Sequence, residues 1–196
     1  TLIVMYTGFT IIRVHCHRLA LKSGGAYVAR RPGDLLLPGL IALEVVVFFA
    51  YLFSPGTFAR ADLGLPVWLR WTGALIGMAA LPLFAWVHRN LGANFSVSLR
   101  VSDVQTLVTT GPYRWVRHPM YTAFCALHIG VFLLTANWLI GAVWLGGLAF
   151  VVASRVRREE AMLVERFGQQ YLSYMRRTGR FLPRVHLGVG AQELGR

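Results

Sequence analysis

The chain has 196 residues, of which 56% are apolar and 14% charged, with a mean hydropathy of +0.53; soluble domains average about 45–50% apolar and about 25% charged. Twenty Lys and Arg against eight Asp and Glu leave a net charge of +12, carried almost wholly by Arg. These figures argue against a disordered chain, a secreted disulfide scaffold and an ordinary soluble enzyme. They also argue against a nucleic-acid module, which needs a polar surface on which to display its charge.

Taken in chain order, Leu2 to Ile12 is apolar but too short to cross a bilayer alone. No basic segment precedes it and no small-residue cleavage site follows, so it reads as part of a first helix rather than a signal peptide. Leu35 to Phe53 is a run interrupted only by Glu44, and at 1.5 Å per residue it is just long enough to span. Val67 to Val87 is a second span, with Arg70 near its end, where a long side chain can snorkel. From Pro119 to Ser154 the chain is apolar for too long to make one crossing, and the break at Thr135, Ala136 and Asn137, followed by Trp138, predicts a tight helical hairpin. The expected fold is therefore all-α: an integral membrane bundle of about five transmembrane helices with a C-terminal amphipathic cytosolic helix. It is read as one domain over 1–196, with N-terminal spans in 1–87 and a functional core in 88–196 that contains the hairpin 119–154.

The basic residues cluster in the first and third polar segments and in the tail, which the positive-inside rule places together in the cytosol with the N-terminus outside. Cys16 and Cys125 are too few and too isolated for a disulfide framework and read as packing residues. Cys125, His128 and His118 lack a fourth ligand and a supporting carboxylate, so no metal is expected. Gly188-Val189-Gly190 does not continue into the dinucleotide-binding glycine pattern.

Two segments break the apolar pattern. His88 to Tyr121 is dense in polar and aromatic residues, with Gly111-Pro112 marking a turn and His118-Pro119 a helix start. After the hairpin, Val156, Leu163, Phe167, Tyr171 and Tyr174 recur at helical spacing, and Glu160 falls on that apolar stripe. Arg155 and Glu159, four apart, are neighbours on another face. Arg157, Arg158 and Arg166 read as a solvated, positive-inside stop, whereas Arg155 sits at the membrane boundary, where an ionisable residue is a functional hypothesis by default.

The run from Gly111 to Tyr121 contains Arg117-His118-Pro119-Met120-Tyr121, and Glu159-Glu160, Phe167-Gly168, Tyr171 and Arg180-Phe181-Leu182-Pro183 follow the hairpin. In this order they resemble the isoprenylcysteine carboxyl methyltransferase family, within the wider group that includes phospholipid N-methyltransferases. The resemblance runs from about His88 to Val185. It implies a multi-pass membrane enzyme, in the inner membrane if the cell is bacterial, that binds S-adenosyl-L-methionine at the cytosolic face and methylates a hydrophobic or lipidated acid. Carried over position by position, cofactor contacts fall on Gln105, Thr106, Leu107, Val108, Tyr113, His118, Pro119, Met120, Tyr121 and Glu159, and the substrate-carboxylate arginine on Arg155. Arg155 and Glu159 are thus the residues expected to serve catalysis directly, and Ser98 stands near a position where the family can carry Gln. A carboxylate acceptor is already ionised at neutral pH and needs no general base, whereas an amine acceptor would need one, His118 being the first candidate. A phospholipid or small-amine N-methyltransferase is the alternative within the group; an NADPH-dependent reductase of the sterol type and a non-enzymatic scaffold stand outside it.

Overall fold

The computed structural model describes residues 1–22, 36–92 and 106–184. Within them the chain is helical: α1 (Leu2–Lys22), α2 (Leu36–Phe53), the single turn α3 (Pro55–Ala59), α4 (Val67–Leu91), a 3₁₀ turn at Gly111–Arg114, α5 (Pro119–Thr135), α6 (Trp138–Phe167) and α7 (Gln169–Arg177). α4 and α6 are long and apolar enough to cross a bilayer, and α1, α2 and α5 contain shorter apolar stretches. Of the about five transmembrane helices expected, α4 and α6 reach spanning length, and the other three are present as shorter apolar helices. α1 extends through Arg13 to Lys22, beyond its apolar stretch, because the polar residues that follow keep helical propensity. The outward faces are those of a membrane protein: Leu75, Trp68, Val67, Phe53 and Phe150 are all exposed.

With lipid outside, burial of apolar surface does little to hold helices together, and close packing must do it. α4 and α5 make the tightest pair. Gly73 and Gly77, one turn apart on α4, meet Gly130 of α5 so closely that a Cβ on Gly130 would lie 2.6 Å from the Gly77 nitrogen and 2.7 Å from the Gly73 oxygen. Those neighbours are backbone and cannot rotate away. Gly130→Ala is therefore expected to destabilise the protein by about 1–3 kcal/mol, as overpacking does, read as a lower thermal midpoint in detergent. An unchanged midpoint would mean that the α4–α5 contact is looser than described. Met5, Phe58, Ala80, Leu127, Val131, Ile140 and Trp144 form the buried cluster beside this seam.

The hairpin turn forms where the sequence predicts. Ala136 closes α5 in the left-handed region (φ 51°), and the Asn137 side chain caps α6 by accepting from the Ile140 N–H at 3.2 Å. The α3 loop packs on this turn: Leu63 N donates to Ala136 O, Trp138 N to Ala61 O, and Asn137 Nδ2 to Phe58 O. Arg70 donates from Nε to Leu134 O at 3.1 Å, tying α4 to the hairpin rather than reaching outward to snorkel. The loop after α2 and the hairpin turn thus share one end of the bundle, and the C-terminal ends of α4 and α6 lie at the other. The amphipathic segment expected after the hairpin divides in two. α6 continues unbroken past its apolar part to Phe167, and Gly168, at φ 51°, breaks the helix before α7.

Candidate functional site

The α5 N-terminus, the polar extension of α6 beyond Ser154, α7 and the strap after it meet at the end of the bundle opposite the hairpin turn. The strap lies alongside the residues that lead into α5: Arg117 N donates to Gly179 O at 2.8 Å, His118 N to Arg180 O at 3.0 Å, and Gly179 N to Trp115 O at 3.2 Å. Thr122 Oγ1 donates to Phe181 O at 2.8 Å, and the Tyr174 hydroxyl donates to Tyr113 O at 2.6 Å. Gly179 is required here, because a Cβ would collide with the Leu182 carbonyl.

The adjacent carboxylates of α6 face different surroundings. Glu160 is 5% exposed and accepts from Arg117 Nε at 3.0 Å, His118 Nε2 at 3.3 Å and Arg180 Nε at 3.2 Å. Burial alone would push its pKa up, but the hydrogen bonds from His118, Arg180 and Arg117 outweigh that and hold the carboxyl at about 2. Arg117 also donates to Met175 O and Thr178 O, at 3.1 and 2.6 Å, so this one side chain ties the segment leading into α5 to both α6 and α7. Glu160 is the counter-ion of an internal knot.

Glu159 is more open, with 22% of its side chain exposed. It accepts from the Tyr121 hydroxyl at 2.8 Å, lies 3.6 Å from Arg155 Nε, and lies 3.7 Å from His118 Nδ1. His118 thus stands between both carboxylates and is oriented from each side. Tyr113 is buried in the 3₁₀ turn; burial, with Tyr174 and Glu159 nearby, pushes its hydroxyl pKa up and keeps it a neutral donor.

Of the residues singled out in the sequence, Tyr121, His118, Arg155 and Glu159 come together as one cluster, with Tyr113 in the electrostatic reach of Glu159. Pro119 and Met120 form the first turn of α5, the former buried and the latter half-buried. Thr106 is exposed and Leu107 and Val108 are half-buried in the segment that leads to the 3₁₀ turn, while Gln105 and Ser98 lie outside the described residues. Arg157, Arg158 and Arg166 are exposed, as a solvated face requires. Cys125 is exposed. Sequence reasoning missed the knot of Arg117, Arg180 and Glu160. The available signal was a glutamate on an apolar stripe, which demands a buried cation partner.

The described helices thus form an apolar bundle with paired carboxylates, a histidine and an arginine gathered at one end. Residues 73–165 match the model of the isoprenylcysteine carboxyl methyltransferase (ICMT) family. It is 34% identical over 118 residues to the protein-S-isoprenylcysteine O-methyltransferase of Mus musculus, a match that covers 59% of this chain and 42% of the mouse protein. The Homo sapiens protein of the same name is 33% identical over the same shares. The fold is similar to that of the eukaryotic intramembrane Ras methyltransferase ICMT, with a TM-score of 0.55, 28% identity, and coverage of 80% of this chain and 54% of that one. The chain spans about half the length of these relatives or less.

Proposed function

We propose that the chain is an S-adenosylmethionine-dependent methyltransferase that esterifies the carboxylate of a hydrophobic or isoprenylcysteine-like acid at the membrane boundary, with its site and C-terminus on the cytosolic side. The observation that carries this reading is the cluster of Arg155, Glu159, Tyr121 and His118 where α6 leaves its apolar part.

The residues fit the cofactor by chemistry. Glu159, partly exposed and held by Tyr121, offers a carboxylate to a cationic amino-acid head or a sulfonium, and Tyr113 and His118 flank it. When bound, S-adenosylmethionine supplies a methyl group whose bond to sulfur breaks as the bond to the acceptor oxygen forms, with no proton to move. The protein's task is then alignment and exclusion of water, worth about 7–11 kcal/mol in favourable cases. Arg155 holds the acceptor carboxylate through two parallel N–H donors, and Glu159 one turn on holds the cofactor. His118 is bonded to Glu160 and faces Glu159, so it orients the site instead of standing free as the base that an amine acceptor would require.

Titration calorimetry with S-adenosylhomocysteine and with NADPH tests the cofactor assignment. Binding of S-adenosylhomocysteine alone, weakened at least tenfold by Glu159→Ala, is the expected result. Binding of NADPH alone would sink the methyltransferase reading.

A further inference from the structure

A second polar group lies within the apolar part of the bundle, away from the Arg155 cluster. Glu44, at the middle of α2, places Oε1 3.5 Å from His128 Nε2 at the middle of α5, and the two side chains are 18% and 8% exposed. Tyr6 of α1 interacts electrostatically with Glu44 and accepts a hydrogen bond from Trp144 Nε1 of α6. Gly147 of α6 faces Glu44, so that a Cβ there would sit 3.8 Å from Oε1. Four helices thus converge on one polar tier. Ionisable side chains are expensive at this depth and, where present, mark ligand or ion paths.

Two features connect this tier with the methyl-transfer site. His128 is seven residues past Tyr121 on α5, which returns it to the same helix face about 10 Å deeper, and Gly147 is two turns before Arg155 on one face of α6. Glu44 and His128 therefore stand deeper in the bundle than Arg155, at about the depth that an extended acceptor chain with its carboxylate at Arg155 would reach. The pair is also incompletely satisfied. His128 Nδ1 is buried and has no hydrogen-bond partner among the described residues, and a buried polar atom left unbonded is costly.

Resting on the reading of the site as a carboxyl methyltransferase, we propose that Glu44 and His128 form a specificity subsite for a hydroxyl group carried about 10 Å along the acceptor chain from the methylated carboxylate. A carboxylate only accepts, and an imidazole nitrogen can donate. A hydroxyl donates to the first and accepts from the second, which a plain hydrocarbon cannot do.

The test uses the full chain in lipid nanodiscs with two acceptors, stearic acid and hydroxystearic acid with a mid-chain hydroxyl, in methyl-transfer kinetics and in ligand-induced shifts of the thermal midpoint. The wild-type protein is expected to show a KM about tenfold lower for the hydroxylated acid and a larger thermal shift with it, the effect of one charge-assisted hydrogen bond. Glu44→Leu and His128→Phe are each expected to abolish that preference while leaving turnover of stearic acid unchanged. Equal KM for the two acids in the wild type, or a preference that survives both substitutions, overturns the subsite. An equal loss on both acids with a lowered midpoint assigns the pair to tying α2 onto the bundle and also overturns it. Absence of methyl transfer to every acid would instead overturn the carboxyl-methyltransferase reading, and the subsite with it.

Discussion

Replacing Arg155 by alanine is expected to lower kcat/KM for an acid acceptor by about 10²–10⁴-fold, almost wholly through KM. Two hydrogen bonds to a charged group are worth about 1.5–3 kcal/mol each, and about 1.4 kcal/mol is tenfold. Affinity for S-adenosylhomocysteine should change little, because Glu159 keeps its bond from Tyr121, at 2.8 Å, and its contact with His118. Arg155→Lys restores charge but not the planar fork and should recover only part of the loss. Steady-state kinetics beside calorimetry separate these effects. Equal loss of acceptor and cofactor binding would show that Arg155 serves the structure of the cluster and does not select the acceptor.

Glu160→Ala is expected to be the most damaging single change to stability, at about 3–5 kcal/mol, because it leaves a buried charge without its partner. Arg117 has a side chain only 8% exposed and pairs with Glu160 at 3.0 Å. Arg180→Ala on the same knot should cost far less, about 0–1 kcal/mol, since the Arg180 side chain is 44% exposed and water can take over its role. Thermal or denaturant unfolding in a fixed detergent checks the ranking. If Arg180→Ala proves the worse of the two, the knot is held from the strap and not from the core. The pH dependence has a definite sign. With its folded pKa lowered to about 2 from a usual value near 4.5, Glu160 contributes stability in full above about pH 4.5 and loses it as pH falls toward 2.

The elements that were legible in the sequence are those set by local rules. α2 and α4 follow from their apolar runs, and the hairpin turn follows from the break at Thr135, Ala136 and Asn137 with Trp138 after it. The pairing of Arg155 with Glu159 is also local, since four residues make one helical turn. What the sequence did not disclose depends on contacts across long separations. The Arg117–Glu160 bond joins residues 43 apart, and the Glu44–His128 pair joins α2 to α5 across the buried core. No periodicity encodes which helix will face which. The apolar stretch Leu2 to Ile12 did not mark the end of α1, which runs to Lys22: hydropathy marks where a helix meets lipid, while helical propensity decides where it stops. Arg70 shows the same limit, because a snorkelling position in the sequence became an interhelical hydrogen bond once the hairpin carbonyl of Leu134 lay within reach.

The most direct test of the central claim is transfer of a labelled methyl group from S-adenosylmethionine by the full chain in nanodiscs. It should be offered a prenylcysteine, a fatty acid and a phosphatidylethanolamine in parallel, with the Arg155→Ala variant alongside. Base-labile label, diagnostic of a methyl ester, should appear on a carboxylate acceptor, fall sharply in the variant, and be absent from the phospholipid amine. Base-stable label on the amine headgroup, unaffected by loss of Arg155, would contradict the account.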